Sequence, residues 1–219
     1  MSTRRRFLSQ TAGLSSLAAF TDALAMGQMP LLHGIRRVKG DVRLNGAPAR
    51  VDQAVLQGDT IATGAGSEVI YVMGNNAYLM RDDSTVQFMQ DGAVGVLRLI
   101  TGKVLAVFGP GAKRIETPAA TIGIRGTACY MEALEAQPLY FCLCYGTADI
   151  QPLADASQAR TLTTMYHDAP LYIGNDTGKP LLEKAPVKNH RDLELILLEE
   201  AVGRQPPFMQ RRAGESNSY

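Results

Sequence analysis

Between about Arg36 and Ala133 the chain is cut at short, even intervals by turn-forming residues, and that rhythm constrains the fold more than any other feature. The marks are Asn45-Gly46, Gln57-Gly58-Asp59, Thr63-Gly64-Ala65-Gly66, Gly74-Asn75-Asn76, Asp82-Asp83-Ser84, Asp91-Gly92, Thr101-Gly102 and Gly109-Pro110-Gly111. Between them lie runs rich in Val, Ile, Tyr and Leu: EVIYVM, AYLM, TVQFM, VGVLRLI and KVLAVF. Short strands with turns roughly every eight to twelve residues predict an all-β body. A strand–helix alternation, which a doubly wound sheet requires, is missing. The texture is that of stacked hairpins forming a β-roll, a short solenoid or a sandwich, and all three remain open.

A second β segment, 138–175, holds LYFCLCYG, ADIQPL, ARTLTTMY and LYIG, and packs on or continues the first. One amphipathic helix is expected over 189–203. Asn189 would cap it with Asp192 at the third helical position, and Leu193, Ile196, Leu197, Ala201 and Val202 form an apolar stripe. Gly203 and Pro206-Pro207 would stop it. Residues 208–219 are polar enough to predict a disordered tail.

The front end carries a separate signal. Arg4-Arg5-Arg6-Phe7-Leu8 fits the twin-arginine export pattern, a mild apolar stretch follows, and Ala23-Leu24-Ala25 offers a cleavage site. The apolar stretch is too short to span a bilayer, so residues 1–25 read as a signal peptide and the mature chain as periplasmic, with no transmembrane span. Formal net charge is +1, and basic residues are scattered with their densest clusters at the termini, which argues against nucleic acid as a partner. No nucleophile elbow, zinc-protease helix, phosphate-cradling loop or catalytic carboxylate pair is visible. The chain therefore reads as a non-enzyme without a cofactor. Its partner would be an envelope protein or polymer, and nothing in the pattern sets an oligomeric state.

Five pieces in order sharpen this. They are Gly40-Asp41-Val42-Arg43-Leu44-Asn45-Gly46, then Gln57 to Ser67 (QGDTIATGAGS), Asp82-Asp83-Ser84, Leu99-Ile100-Thr101-Gly102-Lys103-Val104, and Thr117 to Thr127 (TPAATIGIRGT). Together, over about 35–135, they resemble the FecR domain family. Family members that regulate iron-chelate uptake carry a sigma-factor-binding cytoplasmic domain and one membrane span ahead of this module. Here an export signal stands there instead. The resemblance thus implies a β-rich periplasmic module that binds, scaffolds or takes part in signalling.

Within the last piece, Pro118 lacks a ladder donor and belongs at a strand start or edge. Period-two alternation turns Ile122 and Ile124 inward and Gly123 and Arg125 outward. Gly126, followed by Thr127, permits a bulge or a close backbone approach. Arg125 is expected to pair with a carboxylate or loop carbonyls that hold the turn, so that Arg125→Ala destabilises the domain.

Cys129, Cys142 and Cys144 lie close in sequence, and on a strand Cys142 and Cys144 share a face with Tyr140. Three arrangements are open. The thiols are small buried residues or form one cross-strand disulfide; or Cys129, Cys142, Cys144 and His167 make a Cys₃His site for zinc or copper; or one thiol is reactive, against apolar neighbours that raise its pKa. His190 is expected to be exposed on the first helical turn.

Overall fold

The computed structural model describes residues 33–209. The leader residues Arg4, Arg5, Phe7, Leu8, Ala23 and Ala25 lie outside them.

The strands fall where the apolar runs predict. β1 (Gly34–Lys39), β2 (Val42–Leu44), β3 (Ala47–Pro48), β4 (Thr60–Thr63), β5 (Glu68–Met73), β6 (Asn76–Met80) and β7 (Thr85–Asp91) are short. β8 (Val94–Val107), β10 (Ala120–Ala133) and β11 (Leu139–Pro152) each run for 14 residues, and β9 (Ala112–Glu116) lies between the first two in sequence. β12 (Arg160–Thr164), β13 (Leu171–Ile173), β14 (Leu182–Lys184) and the helix α1 (Asp192–Ala201) follow. The predicted turns lie between strands, with one exception. Thr101-Gly102 sits inside β8, where Gly102 has φ +94°.

All these strands join one sheet, and β8–β9 is its one parallel pairing among the described residues. The three long strands change partners along their length. β8 pairs through Val94–Thr101 with β7 and through Val104–Val107 with β6. β10 pairs through Thr121–Arg125 with β9 and through Ala128–Ala133 with β8. The sheet thereby coils around one interior built from Ile35, Ile61, Tyr71, Phe88, Leu99, Ile115 and their neighbours. The segment 138–175 continues this sheet, because β11 pairs with β10 along most of its length.

A second apolar layer explains why part of the text does not alternate. The outer faces of β5, β6, β8, β10 and β11 present Val72, Leu79, Leu105, Tyr130, Tyr140 and Cys142, and α1 covers them with Leu195 and Leu198. A strand buried on both faces reads as a continuous apolar run. LYFCLCY is such a run, all buried, while the rest of β11 alternates.

α1 departs from its expected form at both ends. Asn189 does not cap it. Its backbone is left-handed (φ +58°) and its side chain donates to Glu132 at 2.6 Å. Arg191 is the N-cap, and its backbone N–H donates to the Glu194 carboxylate at 3.0 Å. Glu194, not Asp192, is therefore the third helical residue, and both acids favour the helix's positive end. The buried face is Leu195, Leu198, Glu199 and Val202, whereas Leu193 and Leu197 are exposed. The expected tail also begins too early, since Phe208 is buried against Tyr145 and Tyr166.

The turn motifs grip one another. Ser84 Oγ accepts from Lys103 N at 2.8 Å, and Ser84 packs against Gly102. Asp41 N donates to Ser67 Oγ at 2.9 Å, and Gly64 N donates to Asp41 O at 2.9 Å. Asn45 and Asp59 side chains bond at 2.7 Å. The last piece forms a turn and a bulged strand. Thr117 Oγ1 accepts from Ala120 N at 2.9 Å, so Pro118 stands on an exposed corner ahead of β10. Ile122 and Ile124 are buried, Gly123 is partly exposed, and Arg125 is exposed. Register shifts between Arg125 and Ala128, with Gly126 at φ +54°. Thr127 Oγ1 donates to Arg125 O (2.9 Å) and lies 3.1 Å from Thr147 O.

Arg125 has a carboxylate partner, Asp149, but at 4.0 Å and with 79% of its side chain exposed. Such pairs contribute between nothing and about 1 kcal/mol. Arg125→Ala should change stability by less than about 0.5 kcal/mol, which a denaturant melt would measure. The turn is held by Thr127 and not by the arginine.

Candidate functional site

The period-two geometry of β11 places Cys142 and Cys144 on its outer face with Tyr140, as expected. Cys129 is not with them. The bulges between Arg125 and Cys129 put Cys129 opposite Leu143 and Tyr130 opposite Cys142. Cys129 therefore points into the inner core and the other two thiols point outward beneath α1. All three are free and buried. A cross-strand disulfide through Cys129 is ruled out by facing, and so is a ligand set that includes it.

His190 takes the fourth place. It is 8% exposed and sits just before the helix, not on its outer surface. Donor atoms of Cys142, Cys144, His167 and His190 all lie within 4.8 Å of one another. Cys142 Sγ is 3.6 Å from His167 Nδ1, and His190 Nε2 is 3.0 Å from the same nitrogen.

Three elements converge here. β11 supplies the thiols. The connection after β12 supplies His167, whose backbone is left-handed (φ +49°) and whose N–H donates to Cys144 O at 3.0 Å. The strap 186–190 supplies His190, with its ring stacked on Tyr130 at 4.8 Å between centroids. Each imidazole is fixed from behind. His190 Nδ1 lies 2.7 Å from Lys188 O, and His167 Nε2 lies 3.3 Å from Asp192 Oδ1. Asp192 is steadied by a 2.7 Å bond from Tyr166 Oη.

The local electrostatics separate the two thiols. A hydrogen bond from Cys144 holds the Cys142 pKa well below the usual thiol range. Burial opposes this, and His167 and His190 reinforce it. Burial, together with that same bond, pushes Cys144 up. For His167, burial works against the cation, yet the hydrogen bond and charge of Cys142, then Asp192, outweigh it and raise the pKa.

Around the cluster a polar frame pins the C-terminal segment to the sheet. Glu132, buried on β10, receives Lys188 Nζ at 2.8 Å, Asn189 Nδ2 at 2.6 Å and Tyr130 Oη at 2.8 Å. Arg81 binds Glu194 at 2.9 Å, and Glu199 joins Tyr145 Oη to Arg204. A separate cleft of about 880 Å³ lies beside the β10–β11 turn, lined by Ile100, Pro118, Leu134, Tyr172, Lys179 and Glu183 among others.

Sequence reasoning found three of the four clustered residues and missed His190 and Asp192. The local text around position 190 gives no sign of a fold that carries it back over a strand some 48 residues earlier. The four residues would hold a thiophilic ion through two sulfurs and two imidazoles.

Comparison with known proteins agrees with the turn motifs. The family model described as FecR protein matches residues 59–143. This starts later than the motif reading and runs into β11 as far as Leu143. No curated protein matches the chain. Two crystal structures of a candidate anti-sigma factor from Parabacteroides distasonis, at 1.65 and 2.50 Å resolution, are similar at 9% identity and a TM-score of 0.48. In each case 57% of this chain and 59% of that one are covered, so this chain spans about three fifths of their length. A likeness that slight carries no inference about function. The stretch from the turn before β4 into β11 is thus the part of the chain that is similar to FecR protein.

Proposed function

We propose that this chain is a non-enzymatic FecR-type module of the bacterial envelope, exported by the twin-arginine route. In this reading it acts in signalling by holding an envelope protein or polymer against its loops and strand edges. The FecR match over 59–143 carries the reading, because that segment forms the strands from β4 to the start of β11. Among the described strands β12 pairs with β11 alone, and Thr161 and Thr163 are exposed along it. An open edge of that kind receives an extended segment of a partner through backbone hydrogen bonds. No helix of the described residues is long and apolar enough to cross a membrane.

Two experiments test the reading. Arg4→Lys with Arg5→Lys should trap precursor in the cytoplasm, read by fractionation and immunoblot; normal export of the double variant refutes the routing. Photo-crosslinkers placed at Thr161 and Thr163 in intact cells should give a discrete envelope adduct that a crosslinker at exposed Leu56 does not. Identical patterns at all three positions would refute the β12 edge as the binding surface.

A further inference from the structure

We propose that Cys142 Sγ, Cys144 Sγ, His167 Nδ1 and His190 Nε2 form a tetrahedral site for a divalent zinc-class ion that locks the C-terminal segment onto the sheet. The inference goes beyond the envelope-module reading and stands whatever partner the surface takes.

Distances support it first. Zinc bonds of about 2.3 Å to sulfur and 2.0–2.1 Å to nitrogen, at tetrahedral angles, place donor atoms about 3.3–3.8 Å apart. The Cys142–His167 separation of 3.6 Å falls in that range, and the His167–His190 separation of 3.0 Å lies just below it. The widest pair, within 4.8 Å, needs to close by about 1 Å on binding.

The second support is the shell behind the ligands. Lys188 O is an acceptor, so His190 Nδ1 must donate to it and Nε2 presents a lone pair. His167 Nε2 likewise faces the acceptor Asp192 Oδ1, which leaves Nδ1 aimed inward. A carboxylate or backbone carbonyl behind each imidazole is the arrangement that fixes metal-bound histidines. The two inward nitrogens meet at 3.0 Å, with Cys142 Sγ 3.6 Å from one of them. A single cation placed among them would engage all four donors.

The site's position gives the ion its consequence. It joins β11, the connection after β12 and the strap that leads into α1, three parts distant in sequence. Metal binding is then coupled to docking of the strap and helix.

The test uses the full-length chain, purified with reduced thiols and depleted of metal. Zinc or cobalt(II) is titrated in, with stoichiometry read by mass spectrometry and thiolate ligation by cobalt charge-transfer absorption. We expect one ion per chain, the charge-transfer absorption of a thiolate-ligated cobalt site, and a Tm about 5–10 °C higher at a hundredfold excess of ion over Kd. Cys142→Ser and His190→Gln should each abolish tight binding, while Cys129→Ala should retain it. Circular dichroism of the metal-free variants controls for misfolding, and His167→Gln gives a second reading if either fails to fold. Absence of stoichiometric uptake by the reduced wild type overturns the proposal. So does uptake that survives both substitutions, or loading by copper(I) without any by zinc or cobalt.

Discussion

Gly102→Ala is expected to cost about 3 kcal/mol and to lower Tm by about 6–12 °C. The residue sits inside β8 at φ +94°, a conformation that side chains strain. A Cβ there would lie 2.2 Å from Ser84 Oγ and 2.3 Å from Ser84 Cα. The second contact is backbone, so no rotamer change relieves it. Ser84 is itself held, since its backbone N–H bonds to Thr63 Oγ1 at 3.0 Å and its hydroxyl receives Lys103 N. Gly92→Ala provides the comparison. Gly92 also has positive φ (+57°), but nothing lies within 4 Å of the added carbon, so its cost should stay near about 1 kcal/mol. Equal losses for the two variants would show that φ alone matters and that the Ser84–Gly102 contact does not.

Glu132→Ala should free the strap 186–190 and cost about 2–3 kcal/mol. It removes the acceptor shared by Lys188, Asn189 and Tyr130. Lys188 is 29% exposed and can turn to water, which keeps the cost below that of a fully buried pair. Hydrogen exchange should then rise over the strap and α1 while the inner core stays protected; a uniform change, or none, would count against this role. Burial alone would raise the Glu132 pKa, but the bonds from Lys188, Asn189 and Tyr130 lower it on balance. A depressed carboxylate pKa contributes stability above the ordinary value near about 4.3, and that contribution disappears as pH falls through the folded value. Acid should therefore weaken the hold on the strap, and Glu132→Gln should remove that acid dependence.

Turn chemistry is local, so Asn45-Gly46, Asp82-Asp83-Ser84 and Asp91-Gly92 announce strand ends directly. Thr101-Gly102 looks the same but bends a strand instead, because the partners that keep β8 extended through it are β6, β7 and β10. The existence of α1 was readable, its buried face was not. Leu193, Leu195, Ile196, Leu197 and Leu198 make it apolar nearly all round, so the sheet beneath selects the face. Glu199 is buried there because Tyr145 and Arg204 meet it.

The cysteine cluster was half legible for a similar reason. Strand alternation put Cys142 and Cys144 on one face without any tertiary information. Cys129 needed the register of the β10–β11 hairpin, and the Gly126 bulge shifts that register. His190 needed the path of the strap, which is set by Glu132 and by Tyr140, whose hydroxyl donates to Pro186 O at 2.9 Å and accepts from Lys188 N at 3.2 Å.

X-ray absorption on the zinc-loaded full-length protein is the most direct measurement of the claim that one buried centre joins helix and sheet. The account requires two sulfur scatterers at about 2.3 Å and two nitrogen scatterers at about 2.0–2.1 Å. A shell with three sulfurs, or one made of oxygen alone, would contradict it.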